Sequence, residues 1–396
     1  MRLLRRTGTA VFASIALLSV MSGGSRGSQA DALPVRATSG HGTVDFLITD
    51  DGNLRITQLQ RRDAPGQIPV VGDFAGDTTL IGGLDDILWY TPGPGGDVLW
   101  RTNGNGAWTE IPISIDGDYV PIVGQFNGGT QTDHKDDVFW YAAGGAPDAI
   151  WNFRDNGTIV KTPVEVNGSY VPIKGAFSND RATDIVWYGP GGGTDSWWDF
   201  NANGTITKKP LTINGSYIPR VGRFCGSPNG DASQDILWYA PGTGRDSVWD
   251  WNDDGGIQKR SFHVDGTYTP ITGSFSNDEF DDILWYSPGR GQDIMWDINS
   301  ATLAHTQRTL AIDGTYTPIT GTLFWDGSDR TDILWFGPGS AFDQIWDFAQ
   351  SGSYTSRPIT VSGNRTPVLA GLAIFIYGAG GVGFPISTGD VIDRHT

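Results

Sequence analysis

Asp86-Ile87-Leu88-Trp89-Tyr90 returns down the chain as Asp137-Val-Phe-Trp-Tyr141, Asp184-Ile-Val-Trp-Tyr188, Asp235-Ile-Leu-Trp-Tyr239, Asp282-Ile-Leu-Trp-Tyr286 and Asp332-Ile-Leu-Trp-Phe336. The leading Asp residues are 51, 47, 51, 47 and 50 positions apart, room for four short strands and their turns, which is one propeller blade. A second Trp follows the first eleven residues later in every unit: Trp89/Trp100, Trp140/Trp151, Trp187/Trp198, Trp238/Trp249, Trp285/Trp296 and Trp335/Trp346. Two strands joined by a six-residue hairpin bring both rings to one sheet face, and Leu88 and Tyr90 point to the other. Both faces are then apolar, and stacked blades cover both. A fully buried Trp contributes about 4–6 kcal/mol by area as an upper bound.

Outward from this strand, which we call B, the unit reads as follows. A short strand A ends near a Gly-x-Phe such as Gly72-Asp73-Phe74, and B leads into a Gly/Pro hairpin such as residues 91–96. Strand C starts at Asp97-Val-Leu-Trp100 and its cognates. An Asn156-Gly157 or Asp254-Gly255 turn, suited to positive φ, leads to strand D. A Gly-x-Tyr-x-Pro segment carries the chain onward. Residues 44–58 match strands C and D, and residues 367–380 match A and B. The expected fold is therefore all-β: a seven-bladed β-propeller of four-stranded blades, its ring closed by N-terminal strands pairing with C-terminal strands. The expected organisation is a signal peptide at 1–32, a short linker at 33–42, the propeller at 43–381 (its last blade shared between 43–70 and 367–381) and a tail at 382–396.

Residues 1–32 carry Arg2, Arg5 and Arg6, then an apolar run from Thr9 to Met21, then small residues, the pattern of an export signal. The expected location is secreted, extracellular. The formal net charge is −17, and removing residues 1–30 takes away four Arg and no acid. Such a chain repels phosphate backbones, so no nucleic-acid partner is expected, and no later segment is long and apolar enough to span a bilayer. Cys225 is the single cysteine, so no internal disulfide forms; a small buried side chain is its expected role.

Gly273-Ser-Phe-Ser-Asn-Asp278-Glu-Phe-Asp-Asp282-Ile-Leu and Phe177-Ser-Asn-Asp180-Arg-Ala-Thr-Asp184 resemble the FG-GAP/VCBS repeat family, whose units form the propeller of integrin α chains and of exported bacterial proteins. The similarity covers residues 43–381. It implies Ca²⁺ held by the A–B loops, with Asp73, Asp77 and Asp86 in the first unit, Asp278 and Asp282 in the fifth, and Asp180 and Asp184 in the third. Ser274, Ser276 and Ser178 are the accompanying oxygens. The second, fourth and sixth units begin with Gln125, Arg223 and Thr322 and depart from the pattern. The recurring last Asp has another role open to it, accepting backbone N–H groups ahead of strand B.

The B–C hairpins and the D-to-A connections share one rim. That rim gathers Tyr119, Tyr170, Tyr217, Tyr268 and Tyr316 with Asp97, Asp148, Asp195, Asp246, Asp293 and Asp343. Aromatic faces and carboxylates are what sugar recognition needs, and repeated weak sites add by avidity on a polymer. The functional expectation is a non-catalytic, lectin-like binder of carbohydrate or a cell-surface polymer through these rim sites. Adhesion to a protein partner is the first alternative, and a polysaccharide lyase or hydrolase the second. The five His are scattered, no nucleophile or metalloprotease motif occurs, and no catalytic residue is assigned. Trp108, Trp197, Trp251 and Trp325 fall outside the regular pairs and are expected as exposed contacts. Unlike residues at equivalent places in the repeat would mark a specialised pocket.

Overall fold

The computed structural model describes residues 33–35, 44–49, 55–60, 67–74, 85–102, 108–126, 135–180, 182–226, 233–252, 255–278, 280–323, 330–337, 342–361, 365–370 and 373–378. The signal peptide and the tail of the sequence reading lie outside them. Among the described residues no helix is long and apolar enough to cross a membrane.

In blade 1 the strands are A (Ile68–Gly72), B (Asp86–Tyr90), C (Asp97–Thr102) and D (Trp108–Ile113). They pair antiparallel in that order, with Leu88 opposite Val70 and Leu99. Blade 2 repeats this with Val120–Gly124, Asp137–Tyr141, Asp148–Phe153 and Ile159–Val164. Blades 3 to 6 follow at 171–211, 218–262, 269–310 and 317–361. The A strands lie side by side, so each blade packs face-on against the next.

The expected seven-bladed propeller, with its last blade shared between the two chain ends, is corrected to a six-bladed one. The repeat supplies six blades, each cut from one continuous stretch of chain. The sixth has five strands, because Leu33–Val35 joins its strand D (Tyr354–Val361) in parallel, with Leu33 opposite Ile359. The expected linker thus begins with a strand. The remaining sheet is spliced from both chain ends, in the order Arg365–Ala370, Ala373–Gly378, Val44–Thr49, Arg55–Gln60. It lies between the inner strands of blades 6 and 1, and it has neither Trp of the repeat. It is a closing sheet, not another copy of the blade, because the indole pair that fills each inter-blade space is missing from its sequence.

Burial explains the repeat. All five positions of every strand B are buried, and the B tryptophans are 0–1% exposed. Each B indole meets its strand C partner at 5.2–5.5 Å, on the one face that the eleven-residue spacing requires. In blades 2 to 6 it receives the strand B tyrosine of the preceding blade at 4.8–5.1 Å, for example Tyr90 against Trp140. Deletion of such a ring costs about 3–5 kcal/mol. On the outer side a strand D residue covers the strand C indole. Lys161, Lys208 and Lys259 lie 3.4–3.5 Å over Trp151, Trp198 and Trp249, and Trp108, His305 and Tyr354 stack flat on Trp100, Trp296 and Trp346.

Trp197 and Trp251, expected as exposed, are buried at 1% and 0%. Both faces of strand C are interior, so an additional Trp there is core whichever way it points. Trp108 is half-buried against Trp100, and Trp325 lies outside the described residues.

Candidate ligand-binding groove

The rim carboxylates are turn fasteners. Asp97 accepts the N–H of Thr91 at 2.7 Å on Oδ1 and that of Ile115 at 2.8 Å on Oδ2, tying the B–C hairpin to the D-to-A connection. Asp148 holds Ala142 and Val166, Asp195 holds Gly189 and Ile213, Asp246 holds Ala240 and Val264, and Asp293 holds Ser287 and Ile312, all at 2.7–2.8 Å. Asp343 accepts from Gly337 at 2.7 Å. All six are buried. Desolvation pushes the carboxyls of Asp97, Asp148, Asp246 and Asp293 up from the ordinary range. A sugar hydroxyl reaching them would displace these backbone donors.

The rim tyrosines are half-buried rivets. Tyr119, Tyr170, Tyr217, Tyr268 and Tyr316 meet the strand B indole of the next blade in a T-shaped contact, ring centroids 5.9–6.2 Å apart. Each also lies across the glycine two residues before it. A Cβ at Gly117, whose φ is 147°, would come within 2.5 Å of the Tyr119 ring. The structure keeps these residues one set per blade.

The A–B loops bind the blades together. The last Asp of each loop takes the bland role: Asp184 accepts from Phe177 and Phe200, both at 2.9 Å, and Asp282 from Phe275 and Ile298, both at 3.0 Å. Asp86 accepts the N–H of Phe74 at 3.0 Å. Burial pushes Asp184 up to about 8 and Asp282 up to about 7. Asp180 accepts from Ser178 and Ala182 on one oxygen and from Ala202 on the other. Asp278 accepts from Ser276 and Phe280, and Asp73 pairs with Lys135 at 2.7 Å. Asp77 lies outside the described residues. Sequence reading missed the residue just before each strand B Asp, which reaches back to the preceding blade. Asp136 Oδ2 accepts from Asp73 N, Thr183 Oγ1 from Gln125 N, Gln234 Oε1 from Ala176 N, Asp281 Oδ2 from Arg223 N and Thr331 Oγ1 from Ser274 N, at 2.8–3.1 Å.

A departure from the repeat in blade 1 borders a cavity. On the outer part of blade 3, Asp199 and Lys209 pair at 3.2 Å, and Lys209 lies 3.9 Å over Trp197. Both press on the C–D turn of blade 4: a Cβ on Gly255 would sit 3.1 Å from Lys209 Nζ and 3.6 Å from Trp197. Asp250–Arg260 at 3.2 Å and Asp347–Arg357 at 2.6 Å repeat the pair in blades 4 and 6. Blade 1 has Leu99, Arg101 and Ile111 at the positions of Trp197, Asp199 and Lys209. Its aliphatic Ile111 reaches no carboxylate, and Gly157 in the facing turn of blade 2 has nothing within 4 Å of a built Cβ. A cavity of about 250 Å³ results. Ile111, Pro112 and Ile113 form one wall, Phe153 and Ile159 the other, and Arg101, Asp155 and Asn156 supply its polar groups. Ile111 is 36% exposed, an apolar side chain left uncovered. The turn is closed by hydrogen bonds: Arg154 N donates to Thr158 O at 3.0 Å, Gly157 N to Arg154 O at 2.8 Å, and Asn156 Oδ1 accepts from Thr158.

No protein-family model and no curated protein matches the chain. Among solved structures, a protein from Lactobacillus plantarum superposes with a TM-score of 0.50 at 11% identity, covering 84% of this chain and 99% of that one. The α-L-arabinanase of Penicillium chrysogenum complexed with arabinobiose superposes with a TM-score of 0.42 at 12% identity, covering 82% and 99%. At such identity the first likeness speaks for the fold alone, a β-propeller of repeated blades.

Proposed function

We propose that the chain is an exported, non-catalytic, lectin-like propeller that binds carbohydrate in the groove between blades 1 and 2. The observation that carries this is the substitution of Arg101 and Ile111 for the Asp–Lys pair of blade 3, which leaves an open cavity walled by aliphatic side chains and edged by a guanidinium and an amide. The C–H face of a sugar ring packs on an apolar wall, and its hydroxyls or a carboxylate take the forked donors of Arg101 and the amide of Asn156. A volume of about 250 Å³ suits one small ring better than a long chain threaded through.

Binding is favoured over hydrolysis because Asp155 is the lone carboxylate among the described lining residues, and glycoside hydrolysis generally uses two. The strongly acidic composition argues against polyanionic partners. An array of immobilised glycans probed with the chain lacking residues 1–30 tests the proposal. Retention on one sugar class, lost in Arg101→Ala with the circular dichroism unchanged, is the expected result. Silence across the array from a folded protein would remove the lectin reading.

A further inference from the structure

Calcium in the A–B loops is what the repeat resemblance implies, and the residues present do not fit it. A Ca²⁺ ion needs six to eight oxygens, several of them carboxylate. In blade 3 all four carboxylate oxygens of Asp180 and Asp184 already accept N–H or O–H donors from the protein. In blade 5 both oxygens of Asp282 are taken by backbone N–H groups.

The fifth loop also contains a cation of the protein's own. Arg330, from the A–B loop of blade 6, donates Nη1 to Ser274 Oγ at 2.6 Å and to the carbonyl of Asp278. Ser274 Oγ is one of the oxygens that the resemblance assigns to a bound ion, and the Asp278 carbonyl is in the same loop. Blade 1 shows the same arrangement with a different side chain. Lys135, from the A–B loop of blade 2, places Nζ 2.7 Å from Asp73 Oδ1, and its side chain is 3% exposed. A buried ammonium requires its counter-charge, so Asp73 is not available to a second cation beside it.

We infer that in blades 1 and 5 a basic side chain from the following blade, Lys135 or Arg330, takes the place of the loop metal and clamps the two blades together. The loops are then fastened without calcium, and the clamp is part of the chain itself. Each cation crosses a blade boundary, beside the backbone clasp that joins Asp136 to Asp73 and Thr331 to Ser274.

The test is thermal unfolding of the full chain with excess calcium chloride and with excess EDTA, alongside equilibrium dialysis against calcium. The expected result is one melting temperature in both conditions, no calcium retained, and a fall of several degrees in Arg330→Ala and in Lys135→Met, partly restored in Arg330→Lys. If Arg330→Ala does not fold, Lys135→Met and Arg330→Lys carry the comparison. Calcium retained by the wild type, a melting temperature lowered by EDTA, or basic-residue variants that melt like the wild type would each overturn the inference. These outcomes are independent of whether the groove binds sugar.

Discussion

The phenol oxygen of Tyr141 accepts the backbone N–H of Tyr170 at 2.8 Å and donates to the carbonyl of Gly168 at 2.9 Å. Tyr90, Tyr188, Tyr239 and Tyr286 hold Tyr119, Tyr217, Tyr268 and Tyr316 in the same way. Thus the last residue of strand B positions the rim tyrosine that then packs on the next blade. Tyr141→Phe removes one donor and one acceptor and orphans two backbone groups. The expected cost is about 1–3 kcal/mol, read by urea unfolding. Wild-type stability in this variant would show that the phenol oxygen is not structural. The chain contains its own control: the sixth unit has Phe336 for the tyrosine and Arg365 where the rim tyrosine would stand, so both partners are absent together.

Thr183 offers a local test of the blade-to-blade clasp. Its Oγ1 accepts the N–H of Gln125 at 2.9 Å, and its own N–H donates to Gln125 O at 2.8 Å. Thr183→Val keeps shape and removes the acceptor. About 1–2 kcal/mol should be lost, and hydrogen exchange at the Gln125 amide should accelerate while strand B amides of both blades stay protected. Uniformly faster exchange would mean that the clasp is not a separable unit.

Stability should fall as pH rises. Burial pushes Asp184 up to about 8 and Asp282 up to about 7 from the usual carboxylate value. A group whose folded pKa lies above its unfolded value stabilises the fold fully below the unfolded pKa, and that contribution is lost as pH climbs through the folded one. The window is therefore about pH 4 to about pH 8. Melting temperatures measured across it should decline, and Asp184→Asn should flatten the decline. A rise over that range would show that the two backbone donors to each carboxylate outweigh its desolvation.

Much of this fold can be read from five residues. The Asp-led strand B, the eleven-residue Trp spacing and the Gly-x-Tyr-x-Pro link each have one physical purpose, and each recurs often enough to be seen. What the sequence obscured was direction. Trp197 and Trp251 stand outside the regular pairs and read as surface, yet both faces of a blade's strand C are core. The rim Asp residues read as ligands or as fasteners, because a carboxylate accepts from a sugar and from a backbone N–H alike; their backbone partners became visible only in the fold. Arg101 and Ile111 could be seen as departures by aligning the units. Their meaning depended on knowing that strand D of one blade faces the C–D turn of the next. Leu33–Val35 carries no pattern of its own and is a strand only because the edge of blade 6 receives it.

The most direct test is to fill the groove without touching the rest. Arg101→Asp with Ile111→Lys gives blade 1 the Asp199–Lys209 pair of blade 3 and should close the cavity against Gly157. Calorimetric titration of the best array sugar into wild type and double variant is the decisive measurement. Heat of binding in the wild type, none in the variant, and equal melting temperatures are the expected result; a folded double variant that binds the sugar as well as the wild type would contradict a ligand site between blades 1 and 2.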